Sequence, residues 1–312
     1  MNVECAPIPN NRETLDLLLA VNHPEGVSPD VPKKDRSMTI PVPMSVVMPN
    51  FNGERDLPEA IESILGQSFR AYEFVIVDDF SSDDSWNIIR AFAGKDSRII
   101  PLRNGDNKGI SETLNNGLIR SRGKYIVRMD SDDVALPNRL RRLFDYMEDP
   151  GHGQVGVCGS YCLVIDAAGK PLGTKTFPLD DREIRHSFWR RNPIQHSASI
   201  IRRSCFDDCG FYDGRLVLAE DLDLWMRFGQ KYELANIPEV LLKYRISDRS
   251  SIIAQQKKML ERSIRVRLDA AKKYGYRLTA RARLSLAMTW LMRYLPPRIV
   301  LKIFMRSIHV KP

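Results

Sequence analysis

MSVVMPNFNGERDLPEAIESILGQSFRAYEFVIVDD, residues 44–79, is the stretch from which the fold can be read. Two apolar runs, MSVVMP (44–49) and EFVIVDD (73–79), flank LPEAIESILGQ (57–67), where Leu57, Ile61, Ile64 and Leu65 share one helical face. The pattern predicts a strand, a helix and a second strand. It continues downstream. DDSWNIIRAFAG (83–94) reads as a helix opened by Ser/Asp residues and closed by Gly94, and RIIPL (98–102) as a strand. ISETLNNGLIRS (110–121) reads as a helix and KYIVRMD (124–130) as a fourth strand. Such alternation implies the α/β class: a Rossmann-like, mostly parallel sheet flanked by helices. Ligands of these sheets bind beyond the carboxyl ends of the strands. Three of those ends are polar here: Pro49-Asn50-Phe51-Asn52, Asp78-Asp79 and Asp130-Ser131-Asp132.

The bulk numbers fit this fold. A chain of 312 residues, 43% hydrophobic and 28% charged, holds enough apolar mass for one sizeable core and excludes wholesale disorder. The net charge of +8 is unevenly spread. Residues 252–312 carry 15 Lys plus Arg against Glu261 and Asp269, or +13, which leaves −5 on the preceding 251 residues. A basic tail behind a mildly acidic body points to an anionic partner for the tail. Residues 1–42, with HPEGVSPDVPKKDRSMTIPVP, are expected to be a flexible arm. The opening residues have no basic start, and LDLLLAV is too short for a signal core. With five cysteines, an odd number, this points to a reducing, cytoplasmic location. Cys158 and Cys162 lie in VGVCGSYCLVI, which reads as a strand, where i and i+4 sulfurs stand about 13 Å apart, too far for one zinc ion.

Three acidic clusters carry the chemistry. Asp130 and Asp132 are spaced i, i+2 in an extended segment and so point to the same side, where two carboxylates favour a hard cation, Mn2+ or Mg2+. The alternative is that Asp132 or Asp133 caps a helix beginning near Leu136-Pro137. Asp78 and Asp79 can accept hydrogen bonds from a nucleobase or ribose, or can simply build an Asp/Ser turn. In LVLAEDLDLWMRF, Glu220, Asp221 and Asp223 stand at a helix start, as caps or as a source of general base.

The ordered segments SVVMPNFNGERDLPEAIESILGQSF, EFVIVDDFSSDDS, NKGISETLNNGLIRSRGKYIVRMDSDD, NPIQHSASIIRRS and LAEDLDLWMR resemble the signatures of family-2 inverting glycosyltransferases with a GT-A-type domain. The resemblance spans about Met44 to Ser251. It implies a transferase domain over 43–251, with a donor half (43–135) and an acceptor half (136–251). Asp79 would contact the donor base with Asp78 in support, and Pro49, Asn52, Asn107 and Gly109 would line the nucleotide. Asn115 would belong to the helix beneath the donor. Asp132 would be the principal metal ligand, with Asp130 on ribose or metal. Asp221 would be the catalytic base beside Glu220, and His196 and Trp225 would lie on the acceptor side. Arg128 and Arg139 also occupy motif positions. A histidine often found near Ser247 or Asp248 is absent, so no imidazole ligand is expected there.

The implied reaction moves a sugar from a nucleotide-diphosphate donor, UDP-linked by preference, to a saccharide or lipid-linked acceptor in surface polysaccharide or glycolipid synthesis. The basic helical tail at 252–312 would either meet an anionic membrane surface as a peripheral anchor or pack as a hairpin on the domain. Two rivals fit less well. A sugar nucleotidyltransferase calls for a Gly-rich basic phosphate loop, which PNFNGERD matches poorly. A nucleic-acid binder has only the tail in its favour, so no nucleic-acid partner is expected. No G-x-G-x-x-G follows the first strand, which disfavours a dehydrogenase.

Overall fold

The computed structural model describes residues 42–216, 218–246, 256–296 and 299–300. The arm expected over 1–42 lies, apart from Val42, outside the described residues, as do Ser247 and Asp248. Nine strands form one sheet: β1 Met44–Asn50, β2 Tyr72–Asp78, β3 Ile99–Arg103, β4 Tyr125–Arg128, β5 Val134–Ala135, β6 Val155–Ile165, β7 Pro171–Lys175, β8 Ile200–Arg202 and β9 Glu233–Arg245. Their order is β3-β2-β1-β4-β8-β6-β9-β5, with β7 on β6.

The first four strands are all parallel, as the alternation predicts. The linking helices are α1 Leu57–Leu65, α2 Ser85–Ala93 and α3 Ile110–Arg120. The rest of the sheet is mixed. β8 runs antiparallel to β4 and β6, β7 to β6, and β5 to β9, while β6 and β9 are parallel. Mixing arises because the second half leaves the regular β-α-β rhythm that makes every crossover parallel. Pro49 sits late in the central strand β1, opposite Val77. β4 stops pairing at Val47, so the missing N–H of Pro49 leaves no gap in the ladder.

Apolar side chains on both sheet faces build two clusters. One gathers Met48, Ile61, Phe74 and Tyr125; the other gathers Val47, Leu118, Ile126 and Trp225. Each such side chain contributes about 1.5–3 kcal/mol on full burial. The thiols of Cys158 and Cys162 lie buried in β6 and are unoxidised, and burial holds that of Cys162 up to about 12. They behave as small apolar side chains.

Four further helices are α4 Arg139–Glu148, α5 Asp181–Ser187, α6 Arg203–Cys209 and α7 Glu220–Phe228. The helix expected from Leu136-Pro137 starts later, because Val134 and Ala135 pair with β9 first and Leu136 N donates to Leu241 O at 3.0 Å. The basic extension folds into α8 Gln256–Tyr274 and α9 Ala280–Met292. α8 packs on α7, burying Val266 and Ala270 in the second cluster. The Tyr276 hydroxyl donates to Met226 O at 3.0 Å, and the Ser285 hydroxyl to Trp189 O at 2.8 Å. Within the described residues the extension is therefore a hairpin packed on the domain. No helix among them is long and apolar enough to cross a membrane.

At the opposite end of the sheet from the polar strand ends, buried Glu73 accepts from the Ser45 hydroxyl at 2.6 Å and pairs with Arg122 at 2.7 Å. Gly123 N donates to the same Ser45 hydroxyl at 2.8 Å. A Cβ on Gly123 would stand 2.4 Å from Ser45 N and 2.6 Å from Met44 C, so the backbones themselves would have to part. Gly123→Ala is expected to cost about 1–3 kcal/mol, read as a lower midpoint in urea unfolding with an unchanged m-value.

Candidate active site

β1, β2 and β4 are adjacent, so their polar carboxyl ends share one edge of the sheet. Loops stitch them together. Asn52 N donates to the Ser81 hydroxyl at 2.9 Å, and Ser82 N donates to Asn52 Oδ1 at 2.9 Å. Asn52 adopts a positive φ of 50°, which an asparagine tolerates. A Cβ on Gly53 would lie 3.3 Å from Ser131 Oγ, which brings the β1 loop against the Asp130–Asp132 turn.

Asp78 and Asp79 hold this edge from within. Asp78 accepts from Asn50 Nδ2, the Ser81 hydroxyl and Ser81 N, and pairs with Arg103 at 3.2 Å. It is fully buried and saturated, so it supports the loop rather than facing a ligand. Asp79 accepts from Asn104 Nδ2 at 2.7 Å, Lys108 N at 2.8 Å and Gly109 N at 2.9 Å. Asn107 donates to the Asp79 carbonyl at 3.4 Å. Gly109, at φ +81°, then opens α3. Asp79 thus organises loop 104–109, leaving about one of its four acceptor positions for a base.

Asp130, Asp132 and Asp133 bring carboxylate oxygens within 4.8 Å of one another. Their positive neighbours are two buried arginines. Arg128 Nη2 meets Asp130 at 2.6 Å. Arg245 donates to the Asp132 carbonyl at 2.8 Å and to Glu59 at 2.6 Å, and its N–H donates to Asp133 Oδ1 at 2.9 Å. Neither Asp132 nor Asp133 caps α4; Asn138 holds that position. These arginines do not neutralise the cluster. Burial, then Asp130, pushes the Asp132 carboxyl up to about 7. Burial and Asp132 push Asp133 well above the carboxylate range, and its Oδ2 is buried without a partner.

The third cluster lies close by. Arg128, itself held charged by Asp130 against its burial, also acts on Glu220 and Asp221. Burial raises both carboxyls, Glu220 to about 7. Asp221 accepts from Asn192 Nδ2 at 2.5 Å and from Leu222 N at 2.7 Å. The Lys175 ammonium, whose pKa is lowered by burial, donates to Gln195 at 2.8 Å and acts electrostatically on Asp221 and Asp133. The acidic turn after β4 and the start of α7 therefore lie within electrostatic reach of the same two cations, Arg128 and Lys175. Asn115 pairs both backbone groups of Tyr212 at 3.0 Å.

Residues 45–210 match the family described as glycosyl transferase family 2. The chain belongs to glycosyltransferase family 2. This glycosyltransferase is 34% identical over 221 residues to an uncharacterized glycosyltransferase of Methanocaldococcus jannaschii, covering 69% of this chain and 74% of that one. It is 33% identical over 208 residues to the amylovoran biosynthesis glycosyltransferase AmsE of Erwinia amylovora, covering 64% and 75%. Its fold is shared with the mannosyltransferase PcManGT from Pyrobaculum calidifontis in complex with GDP-Man and Mn2+ (TM-score 0.60, 15% identity, 96% and 81% covered). It is also shared with S. aureus TarS 1–349 in complex with UDP-GlcNAc (TM-score 0.58, 18% identity, 81% and 72% covered). The GT-A-type expectation holds.

Two site expectations need correcting. His196 and Trp225, read as acceptor-side residues, are buried, with rings 5.8 Å apart and edge-on. His196 bonds the Tyr212 hydroxyl at 2.7 Å, and burial beside Arg128 holds its pKa well below the usual imidazole value. Trp225 lies on the inward face of α7, and His196 packs against it. Sequence reasoning did not assign Lys175, Asn192, Arg245 or the third carboxylate, Asp133. Asn192 lay inside the quoted NPIQHSASIIRRS segment, whereas Lys175 on β7 carries no local signal.

Asp79→Asn would turn one acceptor oxygen into a donor facing an N–H donor. We expect a loss of about 1–3 kcal/mol of stability, read by thermal unfolding of the nucleotide-free protein. An unchanged unfolding temperature would contradict the anchoring role.

Proposed function

We propose that this glycosyltransferase moves a sugar from a nucleotide diphosphate, UDP-linked by preference, to an acceptor hydroxyl in a single inverting displacement. The observation that carries the reading is the meeting of the Asp130–Asp133 cluster and the Glu220–Asp221 pair around Arg128. One cluster faces the leaving group and the other supplies the base.

The oxygen-only donor set, the raised Asp132 and Asp133 carboxyls and the unpartnered Asp133 Oδ2 fit Mn2+ or Mg2+. Asp132 would be its principal ligand, with Asp130 beside it. When bound, such a cation supplies charge neutralisation to the departing diphosphate. Asp221 takes the proton of the acceptor hydroxyl, whose oxygen attacks the anomeric carbon on the face opposite the diphosphate. Burial raises the Asp221 pKa and strengthens it as a base, while Asn192, Arg128 and Lys175 keep it ionised. Glu220 sits beside it with Oε2 buried and unpartnered.

The relatives support the setting. One is named for amylovoran biosynthesis, and two structural neighbours hold nucleotide-sugar donors, one with Mn2+. We place the reaction in surface polysaccharide or glycolipid assembly at the cytoplasmic face, on a saccharide or lipid-linked acceptor.

A thermal-shift screen of UDP-, GDP- and dTDP-sugars with and without manganese tests the donor, with the largest shift expected from a UDP-sugar. Asp221→Asn is expected to lower transfer by about 10²–10⁴-fold while leaving nucleotide affinity near wild type. Loss of both together would count against the base. Asp132→Ala is expected to erase the manganese-dependent part of nucleotide affinity measured by calorimetric titration. An undiminished manganese effect would move the metal elsewhere.

A further inference from the structure

We infer that the outward side of α9 is a docking surface for an anionic lipid bilayer. The inference stands apart from the donor and base assignments. Large exposed apolar side chains are sparse on the domain but gather on the extension. Leu284, Met288 and Leu291 are 63%, 60% and 57% exposed. At 100° per residue these three fall on one stripe of α9. The buried residues Ala282 and Leu286 lie on the opposite stripe, against the domain. α9 is therefore apolar on both sides, and among the described residues only one side is covered. A helix of this kind in an otherwise polar surface calls for a second apolar cover.

Charge selects the occupant. Residues 256–296 hold 11 Lys plus Arg against two acids, a net of +9, and Arg281 and Arg283 are exposed on α9 itself. A second copy would bring the same positive charge to the contact. The stretch 297–312 is also basic, with Arg298, Lys302, Arg306 and Lys311 and no acid. A bilayer with anionic headgroups complements both the apolar stripe and the charge around it. At the end of α9, Trp290 in its last turn and Tyr294 just past it are 44% and 61% exposed, with Arg293 lying 4.4 Å and 4.7 Å from their ring centroids. Amphipathic rings beside a guanidinium suit the headgroup layer.

The test uses the full chain, sedimented with vesicles of phosphatidylcholine alone or mixed with phosphatidylglycerol. Wild type is expected to pellet with the mixed vesicles, and less so as salt rises. Leu284→Ser/Met288→Ser/Leu291→Ser is expected to weaken partitioning about tenfold or more, with the unfolding temperature retained because the altered side chains face outward. Should that variant fold poorly, Arg281→Glu alone is expected to weaken partitioning roughly tenfold. The inference is overturned if wild type stays in the supernatant, or if both variants pellet like wild type. It is also overturned if the triple substitution merely converts a dimer to a monomer in sedimentation velocity.

Discussion

Burying the Arg128 guanidinium is tolerable only because carboxylates reach it from two sides. Asp130 bonds it directly, and Glu220 and Asp221 act on it from the start of α7. The converse also holds. Without that cation two acidic clusters could not share a half-dry cavity, since an unpaired buried charge costs several kcal/mol. The Arg128 backbone is held as well, because Arg139 donates at 2.6 Å to both the Arg128 carbonyl and the Ser197 carbonyl. This fixes the turn after β4 to the segment leading into β8. The position of the proposed catalytic groups and the stability of the sheet centre are one problem with one solution.

A second arginine closes the other side of the same turn. Arg245 ends the long strand β9 and reaches Asp132, Asp133, Glu59 and, at 3.7 Å, Asp56. It joins α1, the acidic turn and the far half of the sheet. The two arginines leave Asp132 and Asp133 with raised pKa values, so the cluster is held together yet still short of positive charge. A site built this way would be organised ahead of the proposed cation.

Much of this was legible in the sequence. Periodicity located the β1–β4 units and their helices, because local hydrophobic spacing alone sets a parallel β-α-β repeat. The polar strand ends and the acidic pair at 220–221 were visible as departures from that spacing. The mixed half of the sheet was not, since β6, β8 and β9 pair across long separations through contacts no local window contains. For the same reason Lys175 escaped notice, being an ordinary lysine until β7 folds back along β6. Asp78 and Asp79 were found as residues, but the side-chain and backbone donors that fill Asp78 and occupy most of Asp79 could be seen only once loops 80–82 and 104–109 were in place. His196 and Trp225 show the reverse error. A motif position tells that a residue matters, not that it faces a ligand.

The seat of α8 bears on how such a protein can be remodelled. α7 carries the proposed base, Asp221, at its start and leans on Val266, Ala270 and Tyr276 along its length. The extension is thus a structural wall of α7 rather than a detachable tag. A lineage that exchanged it for another tail would have to furnish a new apolar backing for Met226 and Phe228 in the same event, which makes gradual shuffling of this module improbable.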